Sequence, residues 1–561
     1  MPSELSLRRA LGSSLLLLGV GLSSMAACDG CRPKQSSTGS PADLGPPSVR
    51  FYLTSDVAGA LEPCGCVRDQ LGGLDHVAAF MKAEQRKTPD SVFLSAGPLF
   101  FLDPVIKEER KAQELAKAET LAESLKSLDL VAFSPGRNDW AMGPASLDDL
   151  VKRSGAASLV ANEQPLSAPF VASVLRDVHG VKVGLVGVAA PNEFEERGEP
   201  LGSLVFEAPA AAVAREAAEL RRKGAQIVVA LAATGRGEAK RLADTVPDLT
   251  AVLVGSTGSG GDANTETPSP ELVGKVLIVE TGNHLQTVGV LDLFVRDQSY
   301  DFSDGTGLAQ NQKRKELDGR IQELRAKIEG WEKAVRMNEK GGRISQSDLD
   351  ARKRDLARLE AQRQALDATP PPRVGSFFRY TVTEVRDTLG ADTTVRQQLL
   401  AYYKKVNEAN QVAFRDRLPP PPGPDGNAYA GVAACVPCHA NPKKVWNGTA
   451  HAHAYKTLAD GFKQFNLDCV SCHVTGYEQP GGSSVTHVEK LQDVQCESCH
   501  GPSSKHVANP KVVHVPVPTP GSDLCKSCHH PPHVHVFDAA AKIPEILGPG
   551  HGLPMPPKPP Q

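Results

Sequence analysis

The chain has no large surplus of charge of either sign: 62 Lys and Arg face 65 Asp and Glu, a formal net charge of -3. That balance argues against a nucleic-acid binder built on a basic face. Aromatic residues are scarce, at 5% of 561. Beyond the first thirty residues no apolar run is long enough to cross a bilayer, which excludes a bundle of membrane-spanning helices. Gly (50) and Pro (44) are plentiful, so long linkers and loop-rich segments are expected. A chain of this length exceeds one hydrophobic core, and two or three domains are expected.

The first residues read as an export signal. Arg8 and Arg9 precede an apolar run from Ala10 to about Leu22, too short for a typical span, and small residues follow. Ser24-Met25-Ala26-Ala27-Cys28 resembles a bacterial lipobox, which implies a lipoprotein signal peptide over 1–27 and lipidation of Cys28. A plain signal peptide cut nearby is the alternative. Several acyl chains on Cys28 anchor stably, at about 0.8 kcal/mol per buried CH₂. Residues 28–47, rich in Ser, Gly and Pro, then form a flexible tether. The expected location is the periplasmic side or cell envelope, on a bacterial membrane.

Over 48–300, short apolar runs alternate with helical patterns. Arg50–Leu53, Val92–Leu94, Val183–Val186, Ile227–Ala230, Val252–Val254 and Val276–Val279 read as buried strands of a layered α/β domain. Residues 309–368 are highly charged, and Leu317, Ile321, Leu324, Ile328, Trp331 and Val335 step by four and three, a coiled-coil seam. Gly341-Gly342 interrupts it before Leu349, Leu356, Leu359 and Leu366 resume, which predicts an antiparallel hairpin, with one long solvated helix as the alternative. Residues 371–425 hold one strand (Phe377–Val382), one helix (Val395–Asn410) and a stiff linker from Leu418 to Pro424. That linker is expected to separate everything before it from the region 426–561.

Eight of the twelve cysteines lie in that last region, in four copies of one pattern. They are Cys435-Val-Pro-Cys438-His439, Cys469-Val-Ser-Cys472-His473, Cys496-Glu-Ser-Cys499-His500 and Cys525-Lys-Ser-Cys528-His529. The spacing C-x-x-C-H attaches a haem: two thioethers hold the macrocycle and the adjacent histidine reaches the iron. A zinc ribbon uses paired cysteines but needs no histidine directly after the second. Disulfides explain an even number of cysteines in an exported chain, but not the histidines. Four covalently bound haem c groups are therefore expected. His451, His453, His487, His506, His514, His530, His533, His535 and His551 are spare, as distal iron ligands require. The pattern leaves open which of them ligate.

Trp446-Asn-Gly-Thr-Ala-His451-Ala-His, Asp468-Cys-Val-Ser-Cys-His473-Val-Thr-Gly476, Cys496-Glu-Ser-Cys-His-Gly-Pro and Cys525-Lys-Ser-Cys-His look like the tetraheme cytochrome c family of the cytochrome c-554 type, which takes electrons from hydroxylamine oxidoreductase. The likeness runs from about Tyr429 to the C-terminus. It implies closely packed haem pairs, with distal ligands at His451, His506 and, more loosely, His551. It also implies a five-coordinate second haem on Cys469, Cys472 and His473, a site that His487 or His514 could close.

From Arg50 to Asp292, strand order and punctuation resemble the calcineurin-like metallophosphoesterases, most closely the exported 5′-nucleotidase branch. The likeness implies a four-layer sandwich whose strand ends carry metal ligands, yet the ligand motifs are degenerate. Asp-x-His reads Asp56-Val57-Ala58, Gly-Asp reads Gly97-Pro98, and Gly-Asn-His-Asp/Glu reads Gly136-Arg137-Asn138-Asp139. The later histidine motifs read Ala232-Ala233-Thr234-Gly235 and Gly255-Ser256-Thr257-Gly258. Asp56 alone survives, and one carboxylate does not hold a dinuclear centre. The resemblance therefore implies a pseudo-enzyme. Nearby, Cys64-Gly65-Cys66 is open to three readings: a strained disulfide, a metal-ligand pair or a redox pair, with pairing to Cys31 also available.

The fold expected is multidomain: a four-layer α/β sandwich, a helical coiled-coil hairpin and a mainly α, loop-rich multiheme cytochrome c domain. The function expected is an exported, lipid-anchored tetraheme electron carrier with an inactive phosphoesterase-like scaffold. Alternatives are a haem-based reductase of nitric oxide or nitrite, and a 5′-nucleotidase-like hydrolase fused to a cytochrome. Exported redox proteins or quinone-linked membrane donors are the expected partners, and nucleic acid is not.

Overall fold

The computed structural model describes residues 45–63, 70–89, 91–189, 204–256, 267–336, 346–367, 375–530 and 537–554. The export signal, Cys28, most of the tether, Cys64, Cys66, the Gly341-Gly342 break, His533 and His535 lie outside the described residues. Pro47–Gln561 form one unit.

Period-two alternation sorts the strand side chains between two faces. In β1 (Val49–Ser55), Phe51 and Leu53 enter one apolar cluster and Tyr52 enters another. The strands β2 (Ser91–Ala96), β3 (Leu130–Ser134), β4 (Ala157–Leu159) and β5 (Phe170–Val171) follow in parallel from β1. A second sheet holds β6 (Ser173–Val178), β7 (Val181–Ala189), β8 (Ile227–Ala233), β9 (Ala251–Val254), β10 (Glu271–Val273) and β11 (Val276–Val279), in the order β10-β11-β9-β8-β7-β6. The first sheet is completed by β12 (Thr287–Phe294), β13 (Ser303–Asp304) and β14 (Phe377–Glu384), in the order β13-β14-β12-β1-β2-β3-β4-β5.

Phe51, Leu53, Leu94 and Ala96 meet Leu185, Val229, Leu231 and Leu253 between the sheets. Outside the first sheet, Tyr52 and Phe93 pack on α1 (Leu74–Gln85), α2 (Lys111–Ser127), α3 (Pro144–Ser154) and, beyond the hairpin, the helix Thr393–Ala413. Outside the second, Val186, Val228 and Val252 pack on α4 (Pro209–Arg222) and α5 (Arg236–Thr245). These are the four layers expected, helix–sheet–sheet–helix.

The charged segment forms α6 (Leu308–Arg336) and α7 (Gln346–Asp367), with Leu317, Ile321 and Leu359 buried between them. Ion pairs Asp318–Arg363, Arg325–Glu360 and Glu332–Lys353 run in opposite chain directions, so the helices are antiparallel, as the seam predicts.

Two elements placed beyond residue 300 by sequence belong to the sandwich. β14 pairs with β12 along eight residues, Phe377 opposite Phe294 through Glu384 opposite Thr287. The helix Thr393–Ala413, here α8, buries Val395, Leu399, Tyr402 and Val406 in the outer cluster. The hairpin is thus an insertion in the α/β domain. Nor does the Pro-rich stretch hold the parts at arm's length. Phe414 packs with Leu467 and Val485, and the Pro420 carbonyl accepts the Gly481 N–H at 2.8 Å.

The C-terminal region is a chain of short helical turns, among them Val432–Cys435, Ala440–Asn447, Ala454–Asp460, Val470–His473, Cys496–His500 and Ala539–Ile546. Its apolar clusters are small, such as Val470, Val474 and Val488. A region built this way cannot rest on side-chain burial alone, as is usual of small modules stapled by cofactors.

Candidate functional site

Short helical turns carry or adjoin the four C-x-x-C-H motifs, and the His439 and His529 N–H groups donate back to the Cys435 and Cys525 carbonyls at 2.9 Å. The thiols of Cys435 and Cys496 lie near enough to perturb one another, as do those of Cys472 and Cys528. The first motif therefore adjoins the third, and the second adjoins the fourth.

Three imidazole pairs face each other across a fixed gap. Ring centres are 6.3 Å apart for His439 and His506, 6.1 Å for His451 and His529, and 6.3 Å for His500 and His551. A metal–imidazole bond of about 2.0–2.1 Å on each side, with about 1.2 Å from nitrogen to ring centre, separates two ligating rings by about 6.4–6.6 Å, within about half an ångström of each pair. The residues present thus fit an iron held between two imidazoles in three of the four places. Each pair joins a motif histidine to one of the three distal candidates, His506, His451 and His551. Val436, Val507, Val517 and Leu524, in or near the motifs and their candidate ligands along the chain, are exposed apolar side chains of the kind that a porphyrin face would cover.

Protonation also fits. A ligating imidazole must be neutral. Burial, then the neighbouring His529, lowers the pKa of His451; burial, then His530, lowers that of His529; burial, then His500 and His439, lowers that of His551. Backbone carbonyls orient three rings: His473 Nδ1 donates to Ala454 O at 2.6 Å, His500 Nδ1 to Val517 O at 2.8 Å, and His506 Nδ1 to Val513 O at 2.6 Å. A carbonyl only accepts, so Nδ1 carries the proton and Nε2 is left for a metal.

His473 differs. No imidazole among the described residues stands opposite it at this spacing. Neither spare histidine named for that place does so: His487 Nδ1 lies 3.3 Å from Ser484 Oγ and 3.2 Å from Thr486 Oγ1, and His514 is exposed. His453 Nε2 is turned to Asn447 O at 3.1 Å.

Sequence reasoning missed Glu497, the second residue of the third motif. Its buried carboxylate accepts the N–H groups of Ala430 at 2.9 Å, Gly431 at 2.7 Å and Ser503 at 2.8 Å. Gly431 precedes the turn carrying the first motif, so one side chain ties the first and third motifs together. The spacing between the C-x-x-C cysteines is free of constraint on identity, which is why no signal marked it.

At the strand ends of the sandwich, loops from β1, β2, β3 and β9 converge. A Cβ on Gly97 would lie 2.4 Å from Gly136 N, and one on Gly255 would lie 2.3 Å from Gly97 O, so only glycine allows this approach. Asp139 ties the loops, accepting Leu99 N at 2.9 Å, Phe100 N at 2.7 Å and Gly136 N at 2.8 Å. Asp56 sits in a left-handed conformation with φ 48 and bonds Ser256; burial pushes its carboxyl up to about 7. Asn138 donates to Leu102 O. Among the described residues no group of three or more His, Cys, Asp or Glu is placed to hold a metal ion. Among them, too, no helix is long and apolar enough to cross a membrane.

Residues 434–501 match the family model described as cytochrome c554 and c-prime. Cytochrome c-554 of Nitrosomonas europaea is 34% identical over 90 residues, which is 13% of this chain and 38% of that protein. The chain thus spans well under half of that relative's length. Among solved structures, a 5′-nucleotidase precursor from Thermus thermophilus is 15% identical with a TM-score of 0.43, covering 76% of this chain and 69% of its own. The NAD nucleotidase of Haemophilus influenzae is 18% identical with a TM-score of 0.38, covering 45% of this chain and 48% of its own. The C-terminal region therefore carries, over residues 434–501, a segment similar to cytochrome c554, joined to a four-layer α/β domain.

Proposed function

We propose that this protein is an exported, lipid-anchored electron carrier with four covalently attached haem c groups, its phosphoesterase-like domain serving as an inactive scaffold. The observation that carries the reading is the set of three imidazole pairs 6.1–6.3 Å apart, each containing the histidine of a C-x-x-C-H motif. A haem held in this way supplies one-electron redox chemistry at a potential set by axial ligation and burial. The chain's own residues do the rest. The eight thiols would hold the macrocycles, and His439, His473, His500 and His529 would each supply an iron ligand. His506, His451 and His551 would supply the second ligands, and the carbonyls of Ala454, Val517 and Val513 hold His473, His500 and His506 in the tautomer that leaves Nε2 free. The proximity of the first motif to the third, and of the second to the fourth, supports two close haem pairs, which would supply one-electron transfer.

Lipidation of Cys28 and export rest on the sequence of the first 28 residues. Exported redox proteins or quinone-linked membrane donors are the partners that location offers. The scaffold role rests on the replacement of metal-binding side chains by Ala58, Pro98, Arg137 and Asn138. Haem mass analysis of each motif's peptide tests the reading: four peptides carrying haem support it, and an unmodified pair of thiols in a correctly matured protein contradicts it.

One observation favours a second activity. No described imidazole stands opposite His473 at this spacing, and a haem left five-coordinate there would have room for a small ligand such as nitric oxide. A high-spin signal that is lost on adding nitric oxide supports this reading. Four low-spin signals remove it.

A further inference from the structure

The second motif differs from the others in what holds the residues before it. Gln113 on α2 is buried, 2% exposed. Its Oε1 accepts from Leu467 N and from Asn410 Nδ2, both at 2.9 Å, and its Nε2 donates to Asn466 Oδ1 at 3.3 Å. One turn earlier, Arg110 donates to Leu467 O at 3.2 Å and to the Asp468 carboxylate. One turn later, Lys117 Nζ is 3.2 Å from Asp468 Oδ2 and 2.7 Å from Glu114 Oε2. Residues 110, 113, 114 and 117 are spaced by three and four, so one face of the helix makes all these contacts. Lys463 pairs with Glu62 and stands 4.2 Å from the centre of the Tyr403 ring. By contrast, the first and third motifs are braced from within the C-terminal region, by Glu497.

The charges in this network stay charged. Burial opposes ionisation of Asp468, but Lys117 and Arg110 outweigh it and hold the carboxyl below its ordinary range. Burial likewise opposes the Lys117 ammonium, and Asp468 with Glu114 outweighs it in turn. Asp468 directly precedes Cys469. Two cations of the α/β domain and the anion they grip are therefore fixed beside the thiol of the second motif, with Lys117 mostly buried and Arg110 and Asp468 about one third exposed.

We propose that the phosphoesterase-like domain forms part of the second haem's site, with Arg110, Lys117 and Asp468 acting as positioning residues that fix that haem's reduction potential. This rests on the reading that Cys469, Cys472 and His473 hold a haem. Ferric iron takes one electron from an external one-electron reductant and becomes ferrous, so the site loses one positive charge. A fixed cation nearby therefore favours the reduced form, and a fixed anion disfavours it. Such a role gives the α/β domain a function that needs no metal ligands.

The test is a redox titration of full-length holoprotein carrying single substitutions, followed by optical and paramagnetic resonance spectra that separate the four haems. A unit charge removed at about 12 Å in a medium of effective dielectric about 20 changes an equilibrium constant by about tenfold, which is about 59 mV for one electron. Lys117→Met is expected to make one haem harder to reduce by about that factor. Asp468→Asn is expected to make the same haem easier to reduce, and Gln113→Ala, which removes no charge, to shift it less than twofold. Should Lys117→Met fail to fold, Arg110→Gln, on a side chain 31% exposed, is expected to act in the same direction. Opposite shifts for the lysine and aspartate variants support the proposal. Shifts of the same sign point to a loosened interface and overturn it, as do unchanged potentials in fully loaded protein. Absence of haem from the Cys469–His473 peptide of the unsubstituted protein removes the underlying reading as well, and peptide mass distinguishes that result from the others.

Discussion

Glu497→Gln probes how the first and third haem motifs are held together. The carboxylate is 2% exposed and receives three backbone N–H groups. Ala430 and Ser503 share Oε1, while Gly431 takes Oε2 alone. An amide keeps one acceptor oxygen, so the best rotamer retains two bonds and turns an NH₂ group against the Gly431 N–H. A hydrogen bond to a charged acceptor contributes about 1.5–3 kcal/mol, and a buried donor left unmatched costs about 1–3 kcal/mol. Losing one bond, the charge assistance of the others and the match at Gly431 costs the C-terminal region about 3 kcal/mol. For a region of this size that lowers its unfolding midpoint by about 10 °C. Glu497→Ala costs more, about 4–5 kcal/mol, because all three donors lose their partner. Thermal unfolding of the holoprotein, read by the Soret band and by far-UV circular dichroism, reports the shift. A midpoint within about 1 °C of the unsubstituted protein refutes the tie.

Replacing the distal ligands separately, as His506→Ala, His451→Ala and His551→Ala, is expected to convert one low-spin haem to high spin in each case, counted by paramagnetic resonance; a variant with unchanged spin states has been assigned the wrong ligand. Asp56 gives a pH signature. Its carboxyl is raised from an ordinary 3.8 to about 7 by burial, so the stability it contributes is complete below about pH 4 and is lost as pH rises through 7. The loss is at most about 4 kcal/mol, less where water reaches the group. Asp56→Asn is expected to flatten that slope between about pH 4 and 7 in denaturant titrations. A slope of the opposite sign in the unsubstituted protein, with bound metal found by elemental analysis, contradicts the scaffold reading. Excising the hairpin is expected to leave the sandwich intact, because Ser303 pairs with Phe377 and so the chain leaves and re-enters at adjacent points. Replacing 309–374 by a short Gly-Ser linker should leave the haem spectrum unchanged, and loss of bound haem would show the hairpin to be structural.

Much of this arrangement is legible in local sequence. The runs at Phe51, Val92, Val183, Ile227, Val252 and Val276 all lie in strands, because β-branched stretches between amphipathic helices carry their own period. The seam from Leu317 to Leu366 reads as two helices for the same reason, and C-x-x-C-H is recognisable without any context. What was not legible is long-range. β14 lies about eighty residues from its partner β12, with the hairpin between them, and nothing in Phe377–Glu384 names that partner. The pairing of His439 with His506 and of His529 with His451 is likewise set by the path of the chain, since motif order does not predict it. Arg110, Gln113, Glu114 and Lys117 read on sequence as an ordinary solvated helix face. The partners of Arg110, Gln113 and Lys117 are some 350 residues away, and mixed charge with i,i+3 and i,i+4 spacing is common to both situations.

The most direct measurement is haem stoichiometry. Protein matured in a host with c-type cytochrome assembly, denatured and weighed intact alongside a pyridine haemochrome assay, should carry four haems that resist acid–acetone extraction. A mature chain with no added macrocycle, or with haem that extracts freely, contradicts the account at its root.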